Sequence, residues 1–120
     1  MTKIVFFRSG GVYYGFEEQG HTGYGEAGDD VLCAALSAMT MLIINTLEVA
    51  YECSVDFTID EKTTDITVIC KAALPEYAED EKKAYAVGGL IYAYYIQLMD
   101  LLEEYDGYLD VSEAEGPEIL

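Results

Sequence analysis

Two long stretches without a charged residue, 31–47 and 84–99, dictate most of what this 120-residue chain can fold into. Neither contains proline, and the first carries Leu32, Leu36, Met39 and Ile43 at helical spacing. A helix that is apolar nearly all round must be buried in protein or in a bilayer. Both stretches fall short of the roughly 20 residues a bilayer span needs. The second also carries Tyr85, Tyr92, Tyr94, Tyr95 and Gln97, a poor bilayer core. Two core helices are therefore expected, from about residue 30 to 51 and from about 77 to 105, with no membrane partner. Gly107 is a plausible C′ residue for the second.

Each helical stretch follows two β-rich segments. "KIVFFR" and "VYYGFEEQ" flank "SGG", whose glycines supply the positive φ of a hairpin turn. "SVDFTID" alternates, with Val55, Phe57 and Ile59 on one face. "DITVICKA" alternates too, with Ile66, Val68 and Cys70 together, and "EKTT" joins the pair as a second hairpin. "YLDVS" suits a short last strand. The order is ββαββα(β), an α+β domain over residues 1–112 in which two long helices cover one sheet. Residues 113–120 read as a flexible acidic tail. Helices with so little polar outer stripe leave apolar surface over, which points to a homo-oligomer, most simply a symmetric homodimer. Gly88 and Gly89 would let another helix approach closely.

The formal net charge of −17, with six basic residues, excludes a nucleic-acid face, which needs Lys and Arg to displace counterions. An anionic membrane surface is disfavoured on the same ground. A basic protein partner would be steered inward. Three cysteines, Cys33, Cys53 and Cys70, form no C-x-x-C, and with one histidine a zinc site would need an unusual ligand set. A reduced, cytoplasmic protein fits, and no secretory signal is visible at the start.

"GHTGYGEAGDDVLCAALSAMT", at 20–40, holds the chemistry. Its Gly23, Gly25 and Gly28 spell G-x-G-x-x-G, the dinucleotide fingerprint. A hairpin rather than a βαβ unit precedes it, however, and Glu26, Asp29 and Asp30 stand where a phosphate would lie. Cys33 offers a different reading. Asp29 or Asp30 is a natural N-cap; with Asp30 as N-cap, Cys33 falls at N3 of the helix, where unpaired N–H groups and the dipole favour a thiolate. His21, on the loop leading in, would take the thiol proton and later protonate a leaving amine. Ser37, one turn on, shares the face of Cys33. The three acids oppose thiolate formation, so an imidazolium partner would be required. Cys33 beside Ala34 and Ala35 also suits a small core residue. Cys53 and Cys70 read as structural.

Gly20-His21, Tyr24, Gly28-x-Asp30 and Cys33-Ala34-Ala35-x-Ser37, with "NTLE" at 45–48, resemble the signature of the ribosomal-processing cysteine protease family Prp. The resemblance extends over nearly the whole chain. It implies a bacterial cytoplasmic homodimer that removes a short N-terminal extension from the precursor of large-subunit ribosomal protein twenty-seven, cutting after a pair of aromatic residues. Carried over by position, His21 and Cys33 are the catalytic dyad, and Gly20, Asp30 and Ser37 support it. No metal or organic cofactor is implied. The glycines of the loop would let it close over substrate. A non-catalytic dimeric module that binds a basic ribosomal protein, and a thiol redox sensor built on Cys33, are the competing readings.

Overall fold

The computed structural model describes residues 1–20, 27–60, 62–63 and 65–115, with the helical backbone alone for 27–30. Strands β1 (Thr2–Ser9) and β2 (Val12–Gln19) form the first hairpin. Gly10 and Gly11 turn it with φ of 57° and 84°, as a two-residue turn with both central residues left-handed requires. A bulge falls between Phe7 and Arg8. Strands β3 (Asp56–Ile59) and β4 (Ile66–Ile69) form the second hairpin. Strand β5 (Leu109–Glu115) runs parallel to β1, and the sheet order is β3-β4-β2-β1-β5.

The two helices follow from this order. Strands β2 and β3 point the same way, as do β4 and β5, because β2 and β3 both run antiparallel to β4, while β5 follows β1. Parallel strands need a long crossover. Helix α1 (Ala27–Asn45), continued by a π-helical turn (Thr46–Ala50), supplies the first; helix α2 (Glu81–Tyr105) supplies the second. The helices consequently run in opposite directions across the sheet.

The core lies between helices and sheet. Ile4, Phe6, Phe16 and Val68 meet Leu32, Leu36, Ile43 and Leu47 of α1 and Val87, Ile91, Tyr94 and Leu98 of α2, all buried. The Phe6 ring sits 5.7 Å from those of Phe16 and Tyr94 and 5.3 Å from that of Tyr95. Edge-to-face and tilted pairs of this kind add to the burial term.

Several boundaries differ from the sequence expectation. Helix α1 starts at Ala27, so Asp30 lies inside the helix and is not its N-cap. Helix α2 starts at Glu81 because Asp80 caps it, its carboxylate accepting the Lys82 N–H at 2.8 Å. The Tyr77 N–H is instead spent on a turn to the Leu74 carbonyl. Gly107 does stand at C′, with φ 93°. Strand β5 runs on to Glu115, so residues 113–115 belong to the sheet and not to a tail. Arg8 holds Glu113 at 3.1 Å and Glu115 at 2.9 Å, pairing the acids that made this stretch look solvated. Residues 116–120 lie outside the described residues. All four residues of β3 are exposed, Phe57 and Ile59 included, because this edge strand lies beyond the cover of the helices.

Length does not exclude a membrane span for α1. With its π-helical turn the apolar run reaches 20 residues, Val31–Ala50, and is long and apolar enough by composition. It packs on the sheet instead: its Thr40 hydroxyl donates to the Glu18 carboxylate inside the core at 2.7 Å.

Candidate active site

The described backbone leading to His21 ends on a glycine that any side chain would strain. Gly20, just past β2, has φ 77°, and a Cβ built there would lie 2.6 Å from the Met1 carbonyl oxygen. Left-handed backbone and close approach together call for glycine. Its N–H donates to Asp65 Oδ1 at 3.4 Å, tying the end of β2 to the start of β4. The chain thus leaves the sheet at a fixed point, one residue before His21. His21 itself, and the glycine loop proposed to close over substrate, lie outside the described residues.

Cys33 sits on the second turn of α1, the seventh residue of a helix that begins at Ala27. This corrects the expectation of an N3 thiol. In a helix from Ala27 the N–H groups without a partner inside the helix are those of residues 27–30, while the N–H of residue 33 faces the carbonyl of residue 29. The dipole effect fades within the first turn. A thiolate at Cys33 therefore depends on a cationic partner more than on the helix start. The side chain is half-buried, at the border between the buried Leu32 and Leu36 and the exposed Ala34 and Ser37. It is no core residue. Ser37 lies one turn on with its side chain exposed. Asp30 lies on the first turn of α1, and its side chain is outside the described residues.

The other two thiols differ. Cys70 is fully buried, and burial pushes its thiol up to about 12, with the adjacent Cys53 adding to the effect. A thiol so held stays neutral and is a poor nucleophile. Cys53 is half-buried, its sulfur 3.7 Å from the Tyr51 carbonyl oxygen. Among the described residues no group of three or more His, Cys, Asp or Glu side chains is placed to hold a metal.

Two features escaped the sequence reading. Glu18 is buried beneath both helices, where its Oε1 accepts hydrogen bonds from Thr40 Oγ1 at 2.7 Å and Tyr94 Oη at 2.5 Å. One carboxylate thus joins β2, α1 and α2. Strand alternation from Phe16 carries the signal: a residue two on shares its face. The second is a groove of about 940 Å³ between the β1–β2 turn and the N-terminal half of α2. It contains neither Cys33 nor any other residue of α1. Gly88 and Gly89 line this groove and do not receive a helix within the protomer.

The family model for cysteine protease Prp matches residues 1–110. The chain belongs to the Prp family of cysteine proteases. Solved structures agree with the fold. A Streptococcus mutans protein is 29% identical, with 97% of this chain and 96% of that chain covered and a TM-score of 0.77. The ribosomal processing protease Prp of Staphylococcus aureus, solved with a substrate peptide, is 16% identical, with 95% of this chain and 100% of that chain covered and a TM-score of 0.76. The same protease with a covalently linked product peptide gives 0.75 at 16% identity, again with 95% and 100% covered. No curated protein matches the sequence. Membership in the Prp family makes this chain a cysteine protease, and among its three thiols the half-exposed Cys33 stands within the motif.

Proposed function

We propose that the protein is a site-specific endopeptidase that removes the N-terminal extension of the precursor of large-subunit ribosomal protein twenty-seven, cutting after a pair of aromatic residues with a Cys33/His21 dyad. The observation that carries this reading is the half-exposed Cys33 thiol on α1, within a Prp-family chain. His21 takes the thiol proton, and Cys33 Sγ attacks the scissile carbonyl carbon. Collapse of the tetrahedral adduct breaks the C–N bond; His21 protonates the leaving amine and a thioester remains. Water, deprotonated by His21, then attacks the thioester, releasing the acid and restoring the thiol. Gly20 fixes where the loop bearing His21 departs. The unpaired N–H groups of residues 27–30 are suited to the oxyanion. The acidic chain suits a basic ribosomal substrate in a reducing bacterial cytoplasm.

The protein is also proposed to act as a homodimer. Val31, Ala34, Ala38, Met41 and Leu42 form an exposed apolar stripe along α1, with Glu48 and Val49 exposed beyond it on the π-helical turn. A face of that kind favours burial against a copy of itself.

The test is cleavage of the purified precursor, read by mass spectrometry. The expected product is a single new N-terminus directly after two aromatic residues, absent with Cys33→Ala. A precursor left intact by the native enzyme would overturn the substrate assignment.

A further inference from the structure

The groove on α2 lies at the far end of the sheet from the site. Its lining includes Gly11, Val12 and Tyr13, at the start of β2, whereas the entry to the site follows the end of that strand at Gly20. Eight residues of strand separate the two ends by roughly 25 Å.

One wall is aromatic. The rings of Tyr13 and Tyr92 stack at 5.0 Å with 25° between planes, and Tyr85, 86% exposed, stands beside them. The floor is open because two consecutive helical residues are glycines. A Cβ at Gly89 would meet nothing within 4 Å, and one at Gly88 would make ordinary contacts with Val12 Cγ1 at 3.5 Å and the Tyr13 carbonyl oxygen at 3.9 Å. A helix interior normally disfavours glycine by about 1 kcal/mol each. Here their effect is space.

The rim is acidic. Glu79, Asp80 and Glu81 line it, and the one cation in the lining, Arg8, is committed to Glu113 and Glu115. Glu79 is shared with Lys71 and Lys83, which line the neighbouring pocket, whereas inside the groove the aromatic faces stand with Asp80 and Glu81. Such a lining suits a guanidinium or ammonium: ring faces attract the cation, the alkyl stem covers apolar surface, and the carboxylates take its hydrogen bonds. A second copy of this chain is the wrong occupant, since it would bring its own negative charge to a negative rim. The uncharged stripe on α1 is the face suited to self-association.

We propose that this groove is an exosite that docks an Arg- or Lys-bearing segment of the polypeptide substrate, away from the scissile bond. The proposal rests on the protease reading. The groove contains no residue of α1, so the docked segment is distinct from the residues at the cut. The exosite would hold the basic body of the substrate while the dyad acts on its extension.

The variant that tests this combines Glu79→Gln, Glu81→Gln and Tyr85→Ala, leaving the capping Asp80 in place. On the full-length precursor, kcat/KM is expected to fall about 10-fold, while a short peptide spanning only the scissile bond is cleaved within about 2-fold of the native rate. Equal losses on both substrates, or no loss on the precursor, would overturn the exosite. Sedimentation velocity provides a second decision: a change of oligomeric state in the triple variant makes the groove a self-interface and sinks the proposal. Anisotropy of a fluorescent peptide rich in Arg and Tyr, titrated with Cys33→Ala protein, reads docking without cleavage. Binding that weakens with salt and is lost in the triple variant supports the exosite even if the native enzyme fails to cut the precursor; absence of binding refutes it.

Discussion

Tyr94 donates its hydroxyl hydrogen to Glu18 Oε1 at 2.5 Å inside the core, and Thr40 donates to the same oxygen at 2.7 Å. Burial pushes the Glu18 carboxyl above its ordinary value, and the two hydroxyls pull it part of the way back. Burial likewise pushes the Tyr94 phenol up, with the carboxylate beside it adding to the shift.

The pH dependence follows from the sign. A raised folded-state value means the folded protein binds the proton more tightly than the unfolded chain does. The stability that this brings is complete below the ordinary value of 4.5 and is lost as pH rises through the folded value. Glu18→Gln cannot ionise and keeps an acceptor for both hydroxyls. Urea unfolding of both proteins from pH 5 to pH 8 should show the difference moving steadily in favour of Glu18→Gln as pH rises. A difference independent of pH would mean that Glu18 does not titrate in this window.

The reactive thiol is the next prediction. Cys33→Ala should abolish cleavage, and His21→Ala should lower kcat by about 100-fold or more, since a positioned base supplies that much. Cys33 sits a turn beyond the unpaired N–H groups, so the helix start does little in place of the imidazole. Cleavage unchanged in His21→Ala would exclude the dyad. Retained thiol oxidation with no cleavage by native protein would favour a redox role.

Cysteine labelling separates the three thiols directly. With its thiol pushed up to about 12 and its side chain fully buried, Cys70 should resist iodoacetamide at pH 8 in the folded protein. Cys33, half-exposed on α1, should be modified well ahead of Cys70. Peptide mapping by mass spectrometry reads the order, and early labelling of Cys70 would contradict its burial.

Much of this was legible in the residues, for physical reasons. Glycine at Gly10 and Gly11, β-forming residues in β1 and β2, alternation in β3 and β4, and the spacing of Leu32, Leu36 and Ile43 are local signals, and local signals gave two hairpins and two helices in order. What misled was choice among equivalents. Two adjacent acids, Asp29 and Asp30, each suit an N-cap, yet the helix starts ahead of both at Ala27. Tyr77 and Ala78 continue the apolar character of α2 backwards, which hid the cap at Asp80. The long-range features were hidden altogether. Nothing near Glu113 and Glu115 announces that Arg8, more than 100 positions earlier, will pair with both on β5. The groove on α2 exists only because α2 returns over the turn between β1 and β2. Glu18 was within reach, since its alternation with Phe16 points it inward, but a charge at an inward position is discounted until its hydroxyl partners are known.

Two glycines give opposite expectations for the same substitution. Gly20→Ala places a Cβ at φ 77° and 2.6 Å from the Met1 carbonyl oxygen. Both effects oppose the folded state, and a loss of about 1–2 kcal/mol or more is expected. The strain falls at the residue preceding His21, so peptide cleavage should drop as well. Gly89→Ala sits in the middle of α2 with open space around the new methyl, and its φ is compatible with any residue. Removing a helix-interior glycine should stabilise by about 0.5–1 kcal/mol. Denaturant midpoints of the two variants, with the m-value unchanged, read both effects. A stabilised Gly20→Ala would mean that the end of β2 does not hold the left-handed backbone and the close contact with Met1 on which the geometry of the site depends.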